Sequence, residues 1–173
     1  MKKSIALLFI LFVLKSFSQS VTDSVLVNSI NNYRIENNLE TLKFTKLGYK
    51  AAKHHNEYLN KHPEVGIVHE ENNDTPFQYE RLKKYLDSDN RIWTSAENLF
   101  ATQINPGLDL SSHDIANWVA NQTIKSWKNS EGHNQNLLLK TTKYVGIHTM
   151  IIKDNRMLVV TYVTYSFSKY EDF

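Results

Sequence analysis

Cysteine is absent from all 173 residues. Small exported domains are often stapled by disulfides, so this chain must hold its fold by core packing alone. Without thiols, seven histidines do not make a structural zinc cluster either. Long apolar runs are also lacking. The one that exists, Ile5 to Leu14, follows Lys2-Lys3 and precedes Ser16-Phe17-Ser18. That pattern is a secretory signal peptide over residues 1–18, too short and wrongly flanked for a stable membrane anchor. No cysteine follows it to carry a lipid. A dominant charge is missing as well. The whole chain carries +2, but residues 1–18 hold three lysines and no acid, leaving 17 basic and 18 acidic residues, a net −1. Nucleic acid and anionic membrane surfaces are therefore excluded as electrostatic partners. No repeat, linker or low-complexity segment is visible, and one domain over residues 24–168 is expected.

Aromatic residues are plentiful: nine Tyr, eight Phe and three Trp can supply the core. Thr22-Asp23-Ser24 offers a helix cap ahead of Leu26, Ile30 and Tyr33, and Asn37-Asn38 ends that helix. Thr45 caps a second helix with Leu47, Ala51, His55, Tyr58 and Leu59 on one face, stopped at His62-Pro63. His54 and His55 are adjacent, point about 100° apart on a helix, and read as packed or solvent-facing side chains. Thr75-Pro76-Phe77-Gln78 reads as a third start, with Thr75 the cap, Pro76 the first helical residue and Gln78 completing a capping box. Phe77, Leu82, Tyr85 and Leu86 then face inward. Trp93 to Gln103 is an extended segment. Ser111 caps a fourth helix whose core candidates are Ile115, Trp118, Val119 and Trp127, and Ser130 caps a short fifth. Tyr144–Ile152 and Met157–Phe167 form a closing hairpin, with Asp154-Asn155 as its turn. Helices that precede a terminal antiparallel hairpin make the chain α+β.

Four motifs stand in order along this frame. They are Asn31-x-x-Arg34 with Leu42-Lys43-Phe44, then His69, then Ala96-Glu97-Asn98-Leu99, then Trp127-x-x-Ser130-x-Gly132-His133-x-x-Asn136-Leu137-Leu138 followed by Tyr144-Val145-Gly146-Ile147. Together they resemble the CAP superfamily (cysteine-rich secretory, antigen five and pathogenesis-related proteins), and the lack of cysteine suits a bacterial member. The resemblance implies a three-layer α-β-α sandwich around a short antiparallel sheet. It also implies that His69, Glu97 and His133 converge on one surface cavity, with His69 and His133 as candidate metal ligands. Glu97 would be a ligand, a partner behind the ligands, or a catalytic base. A divalent metal such as zinc is the cofactor that this set allows.

The chain departs from the family at Ala96, where the motif carries glycine, and again within the site. Ser130 stands where animal and plant members carry a second acid, and Glu70 and Glu131 do not occupy that position. His69-Glu70-Glu71-Asn72-Asn73 is not a zinc-protease motif, because Asn73 replaces the second histidine. No nucleophile–base–orienter triad is legible, and Ser130 beside His133 reads as a helix cap. Asn121-Gln122-Thr123 matches a glycosylation pattern but falls inside a predicted helix. Three functions follow. The first is a secreted or periplasmic binding module for an extracellular lipid, peptide, glycan or partner protein. The alternative is a metal-assisted hydrolase using the same cleft. The third is an extracellular structural or immunity-like protein whose cleft is vestigial.

Overall fold

The computed structural model describes residues 20–105, 109–152 and 157–169. The signal segment and the Asp154-Asn155 turn lie outside them. Along the chain run α1 (Val21–Glu36), β1 (Lys43–Phe44), α2 (Lys46–Lys61), a 3-10 turn (Pro63–Val65), α3 (Gln78–Tyr85), β2 (Asn90–Gln103), α4 (His113–Lys128), α5 (Glu131–Leu137), β3 (Tyr144–Ile152) and β4 (Met157–Lys169).

The sheet order is β1-β3-β4-β2, so β2 is an edge strand. β3 and β4 form the expected hairpin, and β2 runs antiparallel to β4 with Glu97 opposite Val163. The sheet is mixed rather than purely antiparallel, because β1 pairs in parallel with β3. Strand residues alternate between the two faces. Leu158, Val160 and Tyr162 pack with Leu26, Ile30, Val119, Trp127 and Leu137 from α1, α4 and α5. Val163 and Tyr165 pack on the other side with Ala51, Ala52 and Leu82 from α2 and α3. Each face buries one stripe of helices, giving the α-β-α layering.

Local starts differ from the sequence expectations in three places. α1 begins at Val21 because the Ser20 hydroxyl accepts from Asp23 N–H at 3.0 Å, so Thr22-Asp23-Ser24 lies inside its first turn. α3 begins at Gln78, not Pro76. The Pro76 carbonyl accepts from Glu71 N–H and from Arg81, both at 2.9 Å, which holds that residue outside the helix. The Glu80 carboxylate, not Gln78, then reaches back to Phe77 N–H at 3.3 Å. Phe77 consequently stays exposed instead of facing inward. In α4 the cap position is Ser112, since Ser111 is drawn into a turn by the Asp109 carboxylate. Trp127 is buried as expected, with its indole N–H on the Leu99 carbonyl at 3.0 Å, but Trp118 is exposed.

A polar network crosses the α2 layer. Asn56 donates to both the ring nitrogen Nδ1 and the carbonyl of His148, at 2.9 and 2.8 Å, and accepts from the Thr161 hydroxyl. A ring nitrogen that accepts a hydrogen bond belongs to a neutral imidazole. Burial first, and the Lys53 charge second, push the His148 pKa down to about 4 from 6.5. A native value below the unfolded one means that stability falls as pH drops from about 6.5 to about 4, by about 3 kcal/mol for this group. Asp23 has the opposite sign. Burial raises it to about 6 against the hydrogen bond from Thr149, so its contribution grows as pH falls over an overlapping range. Denaturation of His148→Asn alongside the parent isolates the first effect. The variant is expected to gain on the parent steadily from pH 6.5 to pH 4. A constant gap between the two would show that His148 titrates normally.

Candidate functional site

Glu97 sits on β2 with its side chain on the α2/α3 face, almost wholly buried. Burial of a carboxylate is costly unless every oxygen finds a donor. Here both do. Oε1 accepts from His69 Nδ1 at 3.0 Å, and Oε2 accepts from the Arg81 guanidinium on α3. Burial alone would raise the pKa of Glu97. The His69 hydrogen bond and the charges of Arg81 and His55 more than offset it, leaving the carboxyl below its ordinary range.

Arg81 also reaches a second buried carboxylate. Its other terminal nitrogen lies 3.2 Å from Glu71 Oε1 and donates to the Pro76 carbonyl. His55 Nδ1 contacts the same Glu71 oxygen at 2.9 Å, and its Nε2 meets the Val68 carbonyl at 2.8 Å. Asn73 covers Glu71 Oε2 at 2.7 Å. Burial pushes the Glu71 pKa up, while the bonds from His55 and Asn73 and the Arg81 charge pull it down by more, for a net value below the usual one. One guanidinium thus bridges two carboxylates, and each carboxylate also meets a histidine.

His133 comes from the opposite layer, on α5. Asn98, the residue after Glu97, donates to the His133 carbonyl at 2.9 Å, and Asn136 donates to the Glu97 carbonyl at 3.1 Å. These amides lace α5 to the open edge of β2. His133 and the His69–Glu97 pair therefore approach that edge from its two faces. The His133 Nδ1 is buried with no partner among the described residues. Its pKa is lowered by burial first and by the His69 charge second. Ser130 occupies the cap position of α5, yet its hydroxyl makes no capping bond. No hydrogen bond joins His133 to His69 or Glu97 among the described residues.

The sequence profile of the cysteine-rich secretory protein family, CAP, matches residues 27–165. The chain belongs to the CAP family. Solved structures agree on the fold of this CAP domain. An outer surface protein from Borrelia burgdorferi superposes with a TM-score of 0.65 at 20% identity, covering 85% of this chain and 93% of that one. An extracellular protein containing an SCP domain from Bacillus anthracis gives 0.57 at 18% identity, over 82% of this chain but only 40% of the other. NaASP2 with Zn2+ gives 0.53 at 14% identity, over 84% and 80%. No curated protein sequence matches the chain.

The donor set does not fit a resident metal. Glu97 has both oxygens engaged, two imidazoles remain, and among the described residues no three His, Asp or Glu side chains are arranged to hold an ion. Zinc centres take three or four protein ligands. Arg81, Glu71, His55 and Asn136 are the site residues that sequence reasoning missed as such. His55 on an apolar helix face and Arg81 one residue before Leu82 were visible signals, but their common partner, Glu71, was not.

Proposed function

We propose that this CAP domain is an exported binding module that receives its ligand at the His69–Glu97–His133 edge of β2. The observation that carries this reading is the commitment of Glu97. A general base needs an oxygen free to reach a substrate proton, and both Glu97 oxygens are held by His69 and Arg81. What the edge offers instead is recognition. The His69 side chain is 49% exposed with one nitrogen fixed by Glu97, and His133 adds an imidazole whose buried Nδ1 has no partner among the described residues. Two imidazoles, one of them oriented by Glu97, can accept from, or donate to, a polar group on a ligand. Export is supported by the Lys2-Lys3 and Ile5–Leu14 pattern, and by fold neighbours described as outer-surface and extracellular proteins.

Zinc is a usable probe of the two side chains, because imidazole nitrogen is a ligand type it accepts, although two ligands fall short of a resident centre. The expected result is a small rise in melting temperature with zinc, lost in His69→Ala and in His133→Ala and kept in His54→Ala. An unmoved melt, or equal stabilisation of a His69→Ala/His133→Ala double variant, would remove the histidine pair as the binding element. Hydrolysis of ester, peptide or glycoside substrates that collapses in Glu97→Gln would establish the enzyme instead.

A further inference from the structure

Trp118 is out of place for a helix that packs on a core. Its neighbours Val119 and Ala120 are buried, while its own ring is 40% exposed. Among the described residues its indole N–H meets no acceptor. From this ring a groove of about 280 Å³ runs between the outer face of α4 and β2, over Phe100 and Thr102. Its helix wall is formed by Gln122, Ser126 and Asn129. Residues 118, 122, 126 and 129 fall on one stripe of α4, spanning roughly 17 Å at 1.5 Å per residue.

Three observations decide what fits there. Among the described residues the lining is one exposed aromatic face beside amides and hydroxyls, with Lys125 as its only charge and no carboxylate. That combination offers flat apolar contact plus neutral donors and acceptors, and gives a strongly charged polymer little to pair with. The helix-side polar groups are also uncommitted, because the side chains of Gln122, Ser126 and Asn129 make no hydrogen bond among the described residues. Finally, the edge of β2 leading into the groove is capped at two of its carbonyls. The Leu99 carbonyl is taken by Trp127 Nε1 at 3.0 Å and the Glu97 carbonyl by Asn136 Nδ2 at 3.1 Å. An extended peptide binds such an edge through its backbone, and those acceptors are spent.

We propose that this groove is a binding subsite for a neutral oligosaccharide, separate from the histidine cleft. Trp118 supplies the stacking platform, and Gln122, Ser126 and Asn129 hydrogen-bond the sugar hydroxyls. The subsite is independent of what the His69 cleft binds.

The test uses the mature exported chain and three probes: tetramers of glucose, of N-acetylglucosamine and of galacturonate. A neutral tetramer is expected to shift the Trp118 indole N–H resonance saturably and leave the Trp93 resonance in place, although Trp93 is 47% exposed. Trp118→Ala should weaken binding at least about tenfold, and Gln122→Ala about threefold. Trp93→Ala and His133→Ala should bind as the parent does. Because Trp118 is on the surface, its variant should keep the parent's melting temperature, so that lost binding is not lost folding. Silence with both neutral tetramers, equal affinity in Trp118→Ala, or preference for galacturonate would each overturn the proposal. The last outcome would make Lys125 the determinant and the site anionic in taste.

Discussion

Replacing Arg81 with methionine is expected to lower the unfolding free energy by about 3–5 kcal/mol at neutral pH. The side chain is fully buried between the Glu71 and Glu97 carboxylates, which are themselves buried. Methionine fills the space but leaves two anions without their common cation. The cost depends on pH. Both carboxyls titrate below the ordinary value of 4.5 in the native state. A depressed native pKa contributes stability that is fully present above 4.5 and is lost as pH falls through the lower native values. The deficit of Arg81→Met should therefore be largest near pH 7 and shrink steadily in acid, as protonation removes the charges that arginine serves. Urea denaturation at several pH values measures it. A gap of constant size would mean that Arg81 acts by packing alone. The triple change Arg81→Met, Glu71→Gln, Glu97→Gln should recover part of the loss, because an uncharged cluster carries no unpaired anion. If instead the triple variant is less stable than Arg81→Met, unpaired charge is not the source of the cost.

Gly146→Ala is expected to yield no cooperatively folded protein. A Cβ at that position would overlap the Gly48 carbonyl group and Tyr49 N, far inside van der Waals contact. Gly146 lies mid-strand opposite Val163 and has no positive φ, so backbone strain is not the issue. The obstacle is the backbone of α2, which has no rotamer to change. Ordinary overpacking against side chains costs about 1–3 kcal/mol. Here the helix would have to lift from the sheet, taking Ala51, Ala52 and the Thr45–Tyr165 hydroxyl pair with it. Gly132→Ala is the matched control, since its Cβ would meet nothing within 4 Å. Soluble yield and the sharpness of thermal unfolding report the result. A Gly146→Ala protein melting within about 2 °C of the parent would show that α2 can ride higher on the sheet than its contacts imply.

Residue patterns alone determined much of this protein. Runs of β-branched and aromatic residues found β3 and β4 to the residue at their starts, because strands covered by helices on both faces are built from such side chains. Helical spacing found the inner faces of α1 and α2, and Thr45 capped α2 as its side-chain chemistry requires. The motif order marked His69, Glu97 and His133 without any knowledge of the fold. Capping boundaries were less secure. Ser112 over Ser111 and Gln78 over Pro76 were settled by partners outside the local window: Asp109 in one case, Glu71 and Arg81 in the other. Trp118 and Trp127 sit on the same helix with similar hydrophobicity, so only the position of β2 and the rest of the core could bury one and expose the other. The Arg81 bridge lay furthest from the sequence. Residues 55, 71, 81 and 97 come from a helix, a loop, a second helix and an edge strand, and no spacing rule links them. A buried charge is tolerated only where the fold brings its counter-charges to it, and that meeting is decided by the packing of α2 and α3 on the sheet.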